Sequence, residues 1–321
     1  MNEGRDKLIV EHSLVSILVI TYNQETLVLE TIESCLKQTY ENFEVVVSDD
    51  GSTDRTPQIL RDLQDSHPQR IKLVLNKVNR GITANCNAGL AACSGEFIAL
   101  MGGDDLLLPE KLSLQVEAFE NTPSLVLSYH HCYVMRGGNI DEIIGDRRKD
   151  LVTNLADMVG KFGAQIPGPA TMVRATAVPV EGFNSEIETA SDWMFYIDVS
   201  SHGDVARLDQ SLAVYRQHGG NVGERYFSYS EDFLKTLRLV KSRYGHRAGI
   251  DSAVRRGGTR FLLGIIYRSI EHGRPDLARA YAKRLPEYSF WGLAMLVKTL
   301  TYIPGTGVML RALKGFLKRH V

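Results

Sequence analysis

The sequence predicts an α/β fold, a mostly parallel sheet flanked by helices, with a helical extension at its C-terminal end. Between residues 15 and 119, short β-branched apolar runs alternate with segments of helical period, and the links between them are short. Such alternation is typical of parallel strands joined by right-handed crossovers. From about residue 226 onward the pattern is helical throughout, with stops at 245, 273–275 and 304–305.

The predicted elements of the first half follow in a regular order. Its strands are short and almost wholly apolar, as buried parallel strands are, and lie at residues 15–20, 43–47, 71–75 and 97–100. Helices are expected at 25–37, after the turn and capping residues 51–54, at 83–92 and at 109–120. Pro109 opens the last helix, where a missing N–H does no harm.

The order is less regular between residues 125 and 216. Strands are expected at 125–133, 171–174 and 212–215, and helices at 154–162 and 191–201. The polar stretch 136–150 is interpreted as a loop. No clear linker separates this part of the chain from the first half.

The composition is that of a folded globular protein. The 321 residues are 44% hydrophobic and 23% charged, which argues against disorder, and the net charge of -1 gives no basic field for nucleic acid. The four cysteines show no CxxC spacing and are expected to be thiols in a reducing cytoplasm. We find neither the apolar core of a signal peptide nor a run of about 18 apolar residues, the minimum for a spanning helix.

Two pairs of aspartates are the most informative feature. Asp49-Asp50 and Asp104-Asp105 each follow a predicted buried strand. Ligands of open α/β sheets collect outside the carboxyl ends of the strands. Adjacent carboxylates repel each other unless a cation or hydrogen-bond donors occupy the site. One pair alone could be a turn and a helix cap, whereas two pairs in one sheet indicate a site for a metal and a phosphorylated or sugar ligand.

An ordered set of motifs resembles the family 2 glycosyltransferases of GT-A fold, over roughly residues 14 to 220. The matching segments are 15–23 (VSILVITYN), 38–40 (QTY), 47–54 (VSDDGSTD), 79–81 with 87–89, 95–97, and 104–105. Any one segment alone is weak. The resemblance implies a nucleotide-binding half at about 14–122 and an acceptor half at about 123–225, within a domain of residues 1–225. Residues 226–321 would form the helical C-terminal region.

The resemblance also implies which residues bind the donor. Asp50 would accept the N–H of a uracil, with Asp49 supporting the turn, and Asp104 would face the ribose. Asp105 would hold Mn²⁺ or Mg²⁺, which prefer oxygen ligands. The family more commonly has the pattern DxDD here. This sequence has Gly102-Gly103-Asp104-Asp105 instead, so a third carboxylate is missing. Further donor-binding residues are expected at Thr21, Tyr22, Asn23, Glu25, Asn79, Gly81 and Asn87; a plain β-α turn is the other interpretation of 21–23.

Asp192 matches the position of the family's catalytic base, which takes the proton of the acceptor hydroxyl. Glu188 is the second candidate, and Ser191 or Asp192 could instead cap the following helix. Arg216 and His218 resemble a segment that closes over the donor diphosphate, and His218 could bind phosphate or the metal. A surface loop with a chance Arg and His is the alternative there. Residues 166–170 are expected to shape the acceptor pocket.

We therefore expect an inverting, metal-dependent glycosyltransferase. Its partners would be a UDP- or dTDP-sugar donor and a saccharide acceptor, lipid-linked, in surface polysaccharide or O-antigen synthesis. One alternative is a catalytically silent sugar-nucleotide-binding or scaffold protein. Another is a sugar-nucleotide pyrophosphorylase, although residues 22–25 (YNQE) offer no glycine-rich basic loop. Absence of a Walker A sequence disfavours an ATPase.

The C-terminal region suggests contact with a membrane surface. From residue 288 to 321 there is no acidic residue, while basic and apolar residues recur at roughly helical spacing. We expect a cytoplasmic protein held at the inner face of the membrane. Packing on the catalytic domain, or on a second subunit in a homo-oligomer, is the alternative explanation of the apolar stripe.

Overall fold

The computed structural model describes residues 13–144, 151–161, 166–218, 227 and 229–302. Its strands are β1 (Val15–Thr21), β2 (Phe43–Asp49), β3 (Ile71–Leu75), β4 (Phe97–Gly102), β5 (Leu106–Leu107), β6 (Leu125–Arg136), β7 (Asn139–Ile144), β8 (Met172–Arg174) and β9 (Asp204–Gln217). Its α-helices are α1 (Val28–Leu36), α2 (Thr56–Ser66), α3 (Ile82–Leu90), α4 (Lys111–Asn121), α5 (Leu155–Gly160), α6 (Ser191–Ser200), α7 (Ser230–Tyr244), α8 (Ile250–Glu271), α9 (Pro275–Ala282) and α10 (Trp291–Leu300).

The strands form one sheet in the order β3-β2-β1-β4-β8-β6-β9-β5, with β7 paired to β6. Strands β3, β2, β1 and β4 are parallel, as the sequence predicted. The register aligns Thr21 with Asp49, and Ile20 with both Ser48 and Gly102. The carboxyl ends of β1, β2 and β4 therefore lie side by side, and both aspartate pairs lie at this edge of the sheet.

Four details of the secondary structure differ from the prediction. The stretch 136–150 is not simply a loop, because residues 139–144 form β7, antiparallel to β6. The strand expected at 212–215 is the end of the much longer β9, which runs parallel to β6. Helix α1 begins at Val28 rather than at residue 25. The two-residue strand β5, antiparallel to β9, was not expected at all.

The second half of the chain extends the same sheet. Strand β8 pairs antiparallel with both β4 and β6, so the sheet is continuous across the two halves. The central strands are buried on both faces, which explains their uninterrupted apolar sequences. In this half, Trp193, Phe195 and Tyr196 of α6 are fully buried in the core.

The C-terminal helices pack onto the second half of the domain. Helix α8 lies against α5, and a Cβ added at Gly257 would come within 2.6 Å of the Val159 carbonyl oxygen, so the glycine permits this close approach. Helix α10 buries Leu293 and Val297 but leaves Phe290 and Trp291 72% and 71% exposed. Within the described residues, no helix combines the length and apolarity that crossing a bilayer requires.

Candidate active site

The turn after β2 holds the first aspartate pair. Asp49 accepts hydrogen bonds from the Ser52 backbone N–H at 2.9 Å and the Ser52 hydroxyl at 2.5 Å, which supports the turn as expected. Gly51 has φ +71°, and a Cβ there would lie 2.6 Å from the Val78 carbonyl carbon. The turn therefore fits closely against the loop that follows β3.

Asp50 binds that loop with both carboxylate oxygens. They accept the backbone N–H groups of Arg80 at 2.8 Å and Gly81 at 3.0 Å, and the Asn79 side chain also accepts the Gly81 N–H at 3.0 Å. Burial raises the pKa of Asp50, and the two backbone hydrogen bonds partly oppose this shift. The structure thus brings together Asp50, Asn79 and Gly81, three of the predicted donor-binding residues.

Thr21 and Tyr22 follow β1 and differ in exposure. The Thr21 hydroxyl is buried and donates to the Gln24 side-chain oxygen at 2.8 Å. Tyr22 is 44% exposed, so its ring can stack on a planar ligand at this edge of the sheet. Of these two predicted residues, Tyr22 presents the larger surface to a ligand.

Asn23 and Glu25 both bind the segment that leads into α2. Asn23, at φ +51°, accepts the Thr53 N–H on its side-chain oxygen at 2.8 Å. The Glu25 carboxylate accepts the Arg55 N–H at 2.9 Å. These contacts explain why α1 begins later than expected, because residues 23–25 are used to fix the turns around the site. Donor binding by their side chains stays a prediction.

Asn85 was missed by the sequence analysis. Its side-chain N–H donates to the Ser48 carbonyl at 3.0 Å, while its side-chain oxygen accepts from the Ser48 hydroxyl at 2.7 Å and from the Asn76 amide at 2.9 Å. A buried amide with these partners fixes the end of β2 against α3. The sequence signal that could have pointed to Asn85 is that it is an uncharged polar residue on α3, a helix without a clear polar face.

Asn87 joins the two halves of the domain. Its amide donates to the Phe183 carbonyl at 2.8 Å and accepts the Phe183 N–H at 2.7 Å. Asn87 also lines a cavity of about 570 Å³ between α3 and residues 185–188, with Arg80, Gly81, Thr83, Ala84, Ala88, Ser185 and Glu188. Both the N–H and the oxygen of the Asn87 side chain bind backbone groups, so Asn87 has a structural role in linking the two halves. Its role in donor binding stays a prediction.

The second aspartate pair is held at the end of β4. Asp105 is 2% exposed and accepts the backbone N–H of Arg216 at 2.9 Å. Asp104 lies 3.0 Å from Nε2 of His218, whose side chain is 37% exposed. Burial, and then the charge of Asp104, raise the pKa of the Asp105 carboxyl well above its usual range.

The side chain of Arg216 binds helix α1, and its expected contact with the donor diphosphate stays a prediction. Its guanidinium is buried and pairs with the Glu30 carboxylate of α1. The Thr31 hydroxyl lies 2.9 Å from the Asp105 carbonyl and 3.0 Å from that of Gly103. Helix α1 therefore binds both the end of β9 and the backbone of the aspartate pair. The backbone N–H of Arg216 reaches Asp105, and the side chain of His218 reaches Asp104.

The aspartate pair suits a divalent cation. An added Cβ at Gly102 would lie 2.6 Å from Asp104 Oδ1 and 3.4 Å from Asp105 Oδ2, so both carboxylates lie against Gly102, where a side chain would displace Asp104. In the part of the chain described here, no group of three or more His, Cys, Asp or Glu side chains could hold a metal. Mg²⁺ sites commonly use one or two carboxylates and complete their ligands with substrate phosphates.

Asp192 lies in the first turn of α6 and is not its N-cap. That cap is Ala190, without a side-chain hydrogen bond, so capping by Ser191 or Asp192 is not what the structure shows. Burial raises the pKa of Asp192 to about 6, which suits a base near neutral pH. Burial raises the pKa of Cys86 to about 12, and the charges of Asp192 and Asp50 add to this, so Cys86 of α3 lies near both carboxylates. The second candidate base, Glu188, is exposed at the cavity beside α3.

The fold is that of the GT-A glycosyltransferases. TarS from S. aureus, solved with UDP-GlcNAc, matches with a TM-score of 0.65 and 19% identity, over 92% of this chain and 87% of that one. A mannosyltransferase from Pyrobaculum calidifontis, solved with GDP-Man and Mn²⁺, matches with a TM-score of 0.60 and 16% identity, over 96% and 86% of the two chains.

The chain belongs to glycosyl transferase family 2. The family model matches residues 16–155. A UDP-Glc:alpha-D-GlcNAc-diphosphoundecaprenol beta-1,3-glucosyltransferase of Escherichia coli is 36% identical over 230 residues, which are 71% of this chain and 86% of the relative. The protein is thus a sugar-transferring enzyme similar to enzymes of bacterial polysaccharide synthesis.

Proposed function

We propose that the enzyme transfers a sugar, with inversion, from a UDP- or dTDP-sugar to a lipid-linked saccharide acceptor, in a metal-dependent reaction of surface polysaccharide or O-antigen synthesis. The observation that carries the proposal is that Asp104 and Asp105 both lie against Gly102 at the carboxyl end of β4, beside the ends of β1 and β2. Asp192 and Asp50 both lie near Cys86 of α3. The donor and acceptor classes are supported by the relative that uses UDP-Glc and a diphosphoundecaprenol-linked sugar.

The residues divide the work between binding and proton transfer. Tyr22 stacks on the base and Asp50 presents oxygen acceptors to it. Asp105, with Asp104, would hold Mn²⁺ or Mg²⁺, and the cation would neutralise charge on the departing diphosphate. Asp192 removes the proton of the acceptor hydroxyl while that oxygen bonds to the anomeric carbon and the bond to the diphosphate breaks. Attack from the side opposite the leaving group inverts the anomeric centre.

Nucleotide binding is tested by thermal unfolding with UDP-glucose, UDP-GlcNAc, dTDP-glucose and GDP-mannose, each with and without Mn²⁺. We expect the largest stabilisation with one of the uridine or thymidine donors, and only when Mn²⁺ is present. Asp105→Ala should lose this metal-dependent stabilisation while Asp192→Asn keeps it. Equal stabilisation in excess chelator would contradict a metal-bridged diphosphate. Retention of full turnover by Asp192→Asn would remove that residue from the chemistry.

Helix α10 supports a lipid-linked acceptor, because its outer face is apolar and unusually exposed. Phe290, Trp291 and Leu296 are 72%, 71% and 50% exposed, and Lys298 lies beside them. The segment 288–321 carries basic but no acidic residues. Aromatic and basic helices of this kind bind in the headgroup region of anionic bilayers. Three further apolar residues predicted for this stripe, Leu293, Val297 and Leu300, are buried against the protein instead. The remaining predicted residues, Leu310, Arg311, Leu313, Lys314, Phe316, Leu317, Lys318 and Arg319, lie outside the described residues.

Flotation with phosphatidylglycerol liposomes tests this face. We expect the full chain to float at low salt, and the double variant Phe290→Ser with Trp291→Ser to float much less. Val180→Ser, which removes a fully exposed apolar side chain elsewhere, is the matched control and should float normally. Equal flotation of all three proteins would contradict the membrane role. A shift of the double variant from dimer to monomer in light scattering would assign the face to self-association instead.

A further inference from the structure

The loop that leads into Asp192 is held by a helix of the C-terminal region. The backbone N–H groups of Thr189 and Ala190 both donate to Oδ2 of Asp232, in the first turn of α7, at 3.1 Å each. One turn further along, the Lys235 ammonium donates to the Glu186 carbonyl at 2.6 Å. Two side chains of α7 thus bind the main chain of residues 186–190.

The same loop is held from the opposite side by α3. The hydroxyl of Thr83 lies 2.7 Å from the Ile187 carbonyl, 2.9 Å from the Glu188 carbonyl and 2.9 Å from the Ser191 hydroxyl. The loop is therefore clamped between the nucleotide-binding half and the C-terminal region. A carboxylate that accepts two consecutive N–H groups forms charge-assisted bonds, which are stronger than bonds between neutral groups.

Helix α7 is a firm support for this contact. Its Leu234, Leu237 and Val240 are fully buried. Near its other end, Arg243 and the Tyr244 hydroxyl bind the buried Asp198 carboxylate of α6 at 3.1 and 2.6 Å. Helices α6 and α7 are thus connected at both ends. Asp232 makes the contact at the end of α6 that carries Asp192.

We propose that Asp232 is a positioning residue that fixes the loop before Asp192 and so sets where the Asp192 carboxylate meets the acceptor. This inference rests on the proposed role of Asp192 as the base. Asp232 acts through backbone N–H groups, so its effect should fall on turnover and leave nucleotide binding alone, because the loop after β3 that binds Asp50 is untouched. It also gives the C-terminal helices a part in catalysis.

Three variants of the full chain separate positioning from general stability. Asp232→Ala removes the acceptor, and Asp232→Asn keeps a side-chain oxygen for the two N–H groups. Glu231→Ala is the matched control, because it removes the neighbouring acid of the same helical turn, which pairs with Arg284 instead of the loop. Hydrogen exchange of the peptide covering residues 186–191 reports on the clamp without any need for catalysis. Release of the nucleoside diphosphate, UDP from UDP-glucose with Mn²⁺ or the corresponding diphosphate from the panel donor that binds best, reports on turnover.

In Asp232→Ala we expect amide exchange in this peptide to become at least about tenfold faster and kcat to fall about tenfold, equivalent to about 1.4 kcal/mol in the barrier. Donor affinity should stay within about twofold, Asp232→Asn should restore most of both losses, and Glu231→Ala should resemble the wild type. Unchanged exchange, or an equal loss of kcat in Glu231→Ala, would overturn the proposal. If Asp192→Asn keeps full turnover, the proposed base is wrong, while faster exchange in Asp232→Ala would still show that Asp232 holds the loop.

Discussion

The pKa of Asp192 leads to a quantitative prediction of how turnover depends on pH. Burial raises this pKa to about 6, and a base must be deprotonated to accept the acceptor proton. With a pKa of about 6, roughly a tenth of the carboxyl is ionised at pH 5 and roughly nine tenths at pH 7. We therefore expect kcat to rise about tenfold from pH 5 to pH 7 and then to level off.

The assay is UDP or dTDP release at saturating donor, acceptor and Mn²⁺, with donor affinity measured separately at each pH. Saturation makes kcat report groups in the complex instead of losses in donor or metal binding. Asp192→Asn should lose most of its turnover and should not show the rise of kcat between pH 5 and pH 7. Glu188→Gln should keep its turnover and this pH dependence. A flat profile between pH 5 and 7 in the wild type, or loss of this pH dependence in Glu188→Gln, would refute the assignment.

Further predictions concern the metal, the core and a turn. In calorimetry, Asp105→Ala should lose the gain in donor affinity that Mn²⁺ provides, while nucleotide binding without metal stays unchanged. The same Mn²⁺ dependence in Asp105→Ala and the wild type would contradict this prediction. Burial lowers the pKa of Lys111 from 10.5 to about 7, so between these pH values the unfolded chain binds up to one more proton at Lys111, and the contribution of this group to the free energy of unfolding should rise by up to about 1.4 kcal/mol per pH unit. Lys111→Met should lack this contribution, so its free energy of unfolding, measured in urea, should rise less with pH than that of the wild type. Equal pH slopes in the two proteins would contradict this prediction. Gly51→Ala should lower the free energy of unfolding by about 1–3 kcal/mol, because its Cβ meets Val78 at positive φ, whereas Gly138→Ala, at positive φ in open space, should lose less.

The part of the fold that the sequence predicted rests on local pattern. Strands β1, β2, β3 and β4 are apolar runs between helices of clear period, and both aspartate pairs follow such runs directly. Strands β5 and β7 could not be found in this way. Strand β5 is only two residues long and exists because it pairs with β9, more than 100 residues further along the chain. Strand β7 forms a hairpin with β6, and its sequence NIDEII lacks an uninterrupted apolar run.

The missed features of the site are likewise long-range. Glu30 binds Arg216 across 186 residues, and Asp232 binds Thr189 across 43. Nothing near Arg216 in the sequence shows that its guanidinium pairs with α1. Asp232 reads locally as an acidic residue in a first helical turn, which is common because it complements the helix dipole.

The most direct test of the account is the anomeric configuration of the product. Wild-type enzyme, Mn²⁺ and UDP-glucose, or the panel donor that binds best, would be incubated with a diphosphate-linked GlcNAc lipid, and the product examined by proton NMR. The account predicts a new glycoside of configuration opposite to the donor, formed by wild type and absent with Asp192→Asn. A product that retains the donor configuration, or equal product from Asp192→Asn, would contradict it.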